Sequence, residues 1–298
     1  PDDLLATTIR AVMAQAPGLD PAAVEDVIAG CAIPEAQQGL NVARIGAVLA
    51  GLPTSVGGIT VNRFCASGLS AVAMAADRIR VGEAEVMIAA GVESMSMVPM
   101  MGNSPSLSPS IFAPDSDVGI AYGMGLTAEK VAQQWKVSRE AQDALALASQ
   151  QKAAAARAEG RFDAEIAPVS VPQRKGGPLS ITQDEYIKAD ASAEALAKLR
   201  PAFKTDGTVT AGNASGINDG AAALLLMSAE KAAELALAVP QVVALWLLFP
   251  VLTIVGERLE LARVAFLGPR VEPAVEALAA LALLGACLVP VAPTARFL

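Results

Sequence analysis

The stretch from Gly57 to Met97 limits what this chain can fold into more than any other. An apolar-alternating run, Ile59 to Phe64, stops at Cys65. Small residues follow, and apolar side chains then recur with helical spacing at Leu69, Val72, Ala73, Ala76 and Ile79. Gly82 closes that helix, and Val86 to Ala90 is an unbroken apolar run of the kind a strand carries when both its faces are buried. Strand, tight turn, helix and strand in this order predict a layered α/β domain with a mostly parallel sheet.

Cys65 sits in the turn where the first of these strands gives way to the helix. Unpaired N–H groups at a helix start favour a nearby thiolate, the nucleophilic form of cysteine, so Cys65 is a candidate nucleophile. The bland alternative is a small buried hydrophobe, since free cysteine is among the most buried residue types. The two readings differ in one observable, exposure of the thiol.

The flanking sequence extends the same architecture. Asp2 and Asp3 cap a helix expected over Leu4 to Ala16, which Pro17-Gly18 ends. Asp20-Pro21 starts a second short helix, Val27 to Cys31 reads as a strand, and a helix from Gln38 to Leu49 closes at Gly51-Leu52-Pro53. Val98 to Asp117 is rich in Met, Pro, Ser, Gly and Asn and has no periodicity, which marks a long loop. Helices resume at Thr127 to Trp135 and from Ser138, as N-cap, to Glu159. Residues 161–206 are polar and turn-rich, and Ala222 to Met227 is again a strand-like apolar run.

Composition closes several alternatives. A net charge of −8 argues against nucleic acid, whose phosphates require basic surface. Cys31, Cys65 and Cys287 lie far apart, without metal-ligand spacing or an even-numbered disulfide framework, which suits a reducing compartment and predicts no metal site. The sequence has no histidine, so the commonest general base and metal ligand is missing.

Two segments carry a family resemblance. Val61-Asn62-Arg63-Phe64-Cys65-Ala66-Ser67-Gly68-Leu69-Ser70-Ala71, followed by Ala90-Gly91-Val92-Glu93-Ser94-Met95-Ser96, resembles the acyl-accepting cysteine segment of thiolases. Gly207-Thr208-Val209-Thr210-Ala211-Gly212-Asn213-Ala214-Ser215-Gly216-Ile217-Asn218-Asp219-Gly220-Ala221-Ala222 resembles the same family's coenzyme A loop. The resemblance runs from about Pro1 to about Ala236, and it implies a first strand ahead of Pro1 that these residues do not include.

The resemblance implies acyl transfer through a cysteine thioester, serving Claisen condensation or its thiolytic reverse, with a coenzyme A thioester as substrate and no permanently bound cofactor. Cys65 would accept the acyl group. Ala211 and Ser215 match positions that contact the pantetheine arm, and Gly212 and Gly216 suit a chain lying against a ligand. Without the family this segment is only a Gly/Asn/Ser turn. Met124 matches a methionine lining the acyl pocket, though methionine is also a common core filler. Lys188 matches a cation near the nucleotide end of coenzyme A; its alternative is a solvated surface lysine. Asn213, Asn218 and Asp219 are expected to fix the loop and its return to the sheet. Ala195 and Gly123 stand where some relatives carry a serine and a histidine. The family also implies a homo-oligomer formed through this half and a cytoplasmic location.

The departures concern the second half. The Asn-Glu-Ala-Phe, Gly-His-Pro and Cys-x-Gly segments of thiolases do not occur, and Cys287 lies in an apolar setting that argues for inertness. From Leu235 the character changes: 235–255 has no charge and is long enough to cross a bilayer, while Ala277 to Ala292 is a shorter uncharged run. The tail reads either as membrane-associated or as a buried helical hairpin.

The sequence thus predicts an α/β, layered thiolase-like N-terminal domain with an inserted loop domain and an apolar helical tail. The expected division is 1–97 for the first part of the N-terminal domain, 98–216 for the loop domain, 217–236 for the return to the sheet and 237–298 for the tail. Two functional expectations follow: an impaired, truncated thiolase-type acyltransferase, or an inactive membrane-tethered acyl-coenzyme A-binding module or fused reading frame.

Overall fold

The computed structural model describes residues 1–112 and 122–235. Its centre is a four-stranded sheet in the order β2-β1-β3-β6, where β1 is Asp26–Gly30, β2 Gly57–Val61, β3 Val86–Ser94 and β6 Asp219–Met227. β1 runs parallel to both β2 and β3, and β6 pairs antiparallel with β3, with Ser94 opposite Asp219 and Val86 opposite Met227.

Helices cover both faces, and the alternation of side chains along the strands explains why. Val27 and Ala29 of β1 and Val86, Ile88, Ala90 and Val92 of β3 join one core with Leu4, Leu5 and Ile9 of α1 (Asp2–Ala14) and Val42, Ala43 and Ala47 of α2 (Val42–Ala50). Ile28, Met87 and Ala89 point the other way, onto Ala71 and Ala75 of α3 (Ser67–Arg80). A strand with apolar contacts on both faces cannot alternate with polar residues, hence the unbroken apolar runs in the sequence.

The excursion between β3 and β6 holds α4 (Met124–Trp135), α5 (Arg139–Ala158), a two-stranded antiparallel sheet of β4 (Val169–Val171) and β5 (Leu179–Ile181), and α6 (Ala193–Ala197). Val169 and Val171 pack into the α1/α2 core, so the small sheet docks on that face. α7 (Ala229–Glu234) follows β6.

Several boundaries differ from the sequence expectation. The helix expected from Gln38 starts at Val42, because Asn41 is the N-cap and its Oδ1 accepts the Arg44 N–H at 3.3 Å. Gln38 instead ends a 3-10 turn and is fully buried. β2 stops at Val61, three residues short of the expected Phe64, and α4 starts three residues early, at Met124. The turn-rich expectation for 161–206 missed β4, β5 and α6. The tail expectation, including the runs 235–255 and 277–292, falls outside the described residues except at Leu235. Among the described residues, no helix is long and apolar enough to cross a membrane.

Candidate active site

Cys65 is exposed, which rejects the buried-hydrophobe reading for this thiol. Cys31 fits that reading instead: it is buried at the end of β1, and burial, with Glu93 nearby, pushes its thiol up to about 12. The Cys65 turn spans the gap between Val61 and Ser67. Within it Phe64 has φ +48°, a left-handed conformation unfavourable for a bulky L-residue. Ala66, the N-cap of α3, brings no side-chain acceptor, so the positive end of a 14-residue helix adjoins the turn.

Glycine brings that helix end against the sheet. A Cβ on Gly30 would lie 2.5 Å from the Ser67 carbonyl carbon and 2.6 Å from the Gly68 nitrogen, and one on Gly91 would come to 3.9 Å from the Gly68 Cα. The sequence needs glycine at the end of β1 because α3 starts directly on it.

Glu93, next to the end of β3, organises the adjoining loop. Its carboxylate accepts the Ala32 N–H at 2.6 Å, the Ile33 N–H at 3.2 Å and the Gln38 amide at 2.5 Å. Gln38 also donates to the Ile33 carbonyl at 2.8 Å and accepts the Ser94 N–H at 2.9 Å. Two residues past the strand end, Ser96 donates its N–H to Asp219 Oδ1 at 2.8 Å and its hydroxyl to Oδ2 at 2.5 Å. Cys65 follows β2, Glu93 is the penultimate residue of β3 and Asp219 begins β6. All three therefore stand at one end of the sheet, where the parallel strands finish, the usual position for ligand sites in open α/β sheets.

The segment 207–218 runs into this end and is held by the excursion. Glu129 of α4, 8% exposed, accepts the Thr208 N–H at 2.9 Å and the Val209 N–H at 2.8 Å. Burial pushes this carboxyl up, but the hydrogen bonds from Thr208 and Val209 outweigh it and hold the group below its ordinary value. Asn213 donates to Asp143 at 2.8 Å and to the Thr208 carbonyl at 3.1 Å, while its Oδ1 accepts the Thr210 N–H at 2.7 Å. Asp143 is in turn paired with Arg139 at 2.7 Å on α5.

Ala211 and Ser215 are exposed on this segment. Gly212 and Gly216 make room for neighbours within the protein. A Cβ on Gly212 would meet Leu196 and Leu199 at 2.5 Å, and one on Gly216 would meet the Tyr186 ring at 2.4 Å, so both glycines accommodate the protein's own side chains. Tyr186 also brings the Lys188 strip against the segment, its hydroxyl reaching the Ala214 carbonyl at 3.5 Å. Lys188 is exposed, and its N–H binds Gln150 of α5 at 2.7 Å. Met124, 68% exposed, opens α4. The structure thus joins the 207–218 segment to the Cys65 end of the sheet through Asp219, and ties Met124 and Lys188 to that segment only through the excursion.

Sequence reasoning anticipated Asn213 and Asp219 as anchors and missed Gln38, Glu93, Glu129 and Asp143. Apart from the i,i+4 pair of Arg139 with Asp143, their partners are backbone groups or side chains far along the chain, which no local spacing signals. Among the described residues no group of His, Cys, Asp or Glu could hold a metal ion. A depression lined by Leu4, Thr8, Ile166, Val169, Ile181 and Ala221 lies on the α1 face, whereas Cys65 leads into α3 on the opposite one.

Comparison with known proteins bears on both parts of the chain. Residues 1–230 match the family model "Thiolase, N-terminal domain", and residues 212–298 match a domain of unknown function, whose span begins before the change of composition near Ala236. A probable acetyl-CoA acyltransferase of Staphylococcus aureus (strain COL) is 47% identical over 243 residues, covering 78% of this chain and 61% of that protein. An acetyl-CoA acetyltransferase of Chromobacterium violaceum is 51% identical over 245 residues, covering 79% and 62%. The crystal structure of the Bacillus anthracis acetyl-CoA acetyltransferase superimposes with a TM-score of 0.69 at 37% identity, over 80% of this chain and 62% of that one. The matched part of the chain spans about 61% of the length of such curated relatives.

Proposed function

The chain belongs to the thiolase family, and on that premise we propose that Cys65 accepts an acyl group from a coenzyme A thioester. The sulfur attacks the thioester carbonyl, the bond from that carbon to the coenzyme A sulfur breaks, and coenzyme A leaves with the proton that the cysteine gave up. In this reading Ala211 and Ser215 receive the pantetheine arm, Met124 borders the acyl group and Lys188 faces the nucleotide end. Coenzyme A is a substrate here, not a resident cofactor. Residues 1–97 and 217–236 form the N-terminal domain, 98–216 the loop domain and 237–298 a separate tail. The family's oligomeric habit and cytoplasmic setting are carried over as part of the same proposal.

One observation carries the reading: an exposed cysteine and the end of the 207–218 segment stand at the same end of one sheet. The 298 residues contain no histidine, so they supply no imidazole base for carbon–carbon bond formation. The proposed activity is therefore acyl acceptance, impaired in the condensation or thiolysis of 3-ketoacyl-coenzyme A. Incubation with acetyl-coenzyme A followed by intact-mass measurement tests it. An acetyl adduct that disappears in Cys65→Ser supports the reading, and no adduct on the unaltered chain sinks it.

The absence of histidine, together with the match of 212–298 to a domain of unknown function, favours a second reading: an inactive module that binds acyl-coenzyme A without reacting, tethered through its tail or produced by a fused reading frame. Saturable binding of acetyl-coenzyme A without an adduct selects binding over transfer, and partition into detergent micelles tests the tether.

A further inference from the structure

The turn that carries Cys65 is held by two side chains to which no role has been attached. Asn62 Oδ1 accepts the Phe64 N–H at 2.9 Å, and Asn62 Nδ2 donates to the Ala32 carbonyl at 3.0 Å. From the other side, the Ser67 hydroxyl donates to the Phe64 carbonyl at 2.6 Å and accepts the Arg63 N–H at 2.8 Å. The Phe64 N–H is thus taken up by the Asn62 side chain, and its carbonyl by the Ser67 hydroxyl together with the Ser67 N–H at 3.0 Å; Phe64 is the residue in this turn with a positive φ.

That conformation needs an outside cause. A left-handed phenylalanine is disfavoured by contact between its Cβ and the backbone, and a well-packed ring is one way to hold it. Phe64 is 68% exposed, so ring packing supplies little here. The hydrogen bonds of Asn62 and Ser67 are what the structure offers in its place. Ser67 is buried, so its hydroxyl bonds have little competition from water. Asn62 is exposed, but its amide reaches Ala32, whose N–H is bound by Glu93. The turn is thereby referenced to β3 as well as to its own helix.

We propose that Asn62 and Ser67 are positioning residues for Cys65: they hold the Phe64 backbone left-handed and so fix the direction in which the thiol leaves the turn. The consequence for Cys65 rests on its reading as the acyl acceptor, and the test separates the two. Iodoacetamide is an electrophile that needs no coenzyme A site, so its reaction with Cys65 reports the turn even if acetyl-coenzyme A leaves no adduct.

The experiment compares the unaltered chain with Asn62→Ala, Asn62→Asp, Ser67→Ala and the double variant Ser67→Ala/Phe64→Asn, measuring the alkylation rate of the Cys65 peptide by mass spectrometry. Asn62→Ala and Ser67→Ala are expected to slow alkylation by about tenfold, less than the roughly hundredfold that an ångström of misplacement can cost within a bound complex. Asn62→Asp keeps the acceptor for the Phe64 N–H but sets a carboxylate oxygen against the Ala32 carbonyl, so its rate is expected to fall between those of Asn62→Ala and the unaltered chain. Phe64→Asn is expected to recover most of the rate lost in Ser67→Ala, because asparagine tolerates the left-handed region without help. A merely structural role for Ser67 predicts no such rescue. Unchanged or faster alkylation in Asn62→Ala, or absence of rescue by Phe64→Asn, overturns the proposal. Should Ser67→Ala unfold, seen as alkylation of Cys31, the exposed Asn62 position decides the matter alone.

Discussion

Asp219, the first residue of β6, closes over the end of β3 by accepting both the backbone N–H of Ser96, at 2.8 Å, and its hydroxyl, at 2.5 Å. This carboxylate joins the excursion to the sheet at the end where Cys65 emerges. Asp219→Ala removes two bonds to a buried charged acceptor. Bonds of this kind are worth roughly 1.5–3 kcal/mol each, so the expected loss of unfolding free energy is about 3 kcal/mol. Urea denaturation measures it, and a loss near zero would show that the junction is held by the β3/β6 ladder alone.

Glu129 gives a pH-dependent counterpart. Although burial pushes its carboxyl up, hydrogen bonds from Thr208 and Val209 hold it below the ordinary 4.5. A carboxyl depressed in the folded state adds stability that is full above the unfolded value and fades as pH falls through the folded one. The stability gap between the unaltered chain and Glu129→Gln should thus be constant near neutrality, about 2 kcal/mol from the weakened charge-assisted bonds, and narrow as pH drops below 4.5. Chemical denaturation at pH 7 and at successively more acid pH values checks both the gap and its sign.

The cysteines should separate cleanly by reactivity. Cys31 is buried and its thiol is pushed up to about 12, so at pH 8 it is protonated and inaccessible, whereas Cys65 is exposed. Iodoacetamide at that pH should label the Cys65 peptide of the native protein and spare the Cys31 peptide until urea is added. Equal labelling of both would contradict the burial of β1.

Gly30→Ala tests the contact between α3 and the sheet. Its new methyl would fall 2.5 Å from a backbone carbon of Ser67, an atom that cannot rotate away. Overpacking against backbone costs about 1–3 kcal/mol and has to displace the helix start. A lowered Tm accompanied by an altered Cys65 alkylation rate is expected. A lowered Tm alone would mean that the strand, and not the helix, absorbs the strain.

The elements around Cys65 were legible from sequence because local chemistry dictates them. Apolar runs marked β1, β3 and β6, while Ser138 marked the start of α5 and Gly51 the end of α2. What stayed hidden was long-range. Gln38 looks like the polar start of a helix, yet it is buried because Glu93, Ile33 and Ser94 together satisfy its amide. Phe64 looks like the last residue of a strand, yet it is left-handed in a turn where the Asn62 and Ser67 side chains bind its backbone. Gly212 and Gly216 were legible as glycines that something approaches closely, but their protein neighbours, Leu196, Leu199 and Tyr186, were not. The candidate nucleophile could thus be found by pattern, and the scaffold that aims it could not.

The antiparallel pairing of β3 with β6 has a kinetic consequence. β1, β2 and β3 lie within the first 94 residues and pair through short connections, whereas Ser96 and Asp219 meet across a separation of 123 residues. Loop-closure entropy grows with that separation, so docking β6 is the costly step of assembling the sheet, and contacts within 1–94 offset their own closure sooner. On a chain emerging from the ribosome, the Cys65 turn and its supports at Ala32, Gln38 and Glu93 are synthesised before Asp219. Cys65 is therefore built into its turn early, and the 207–218 segment arrives at a surface that is already prepared.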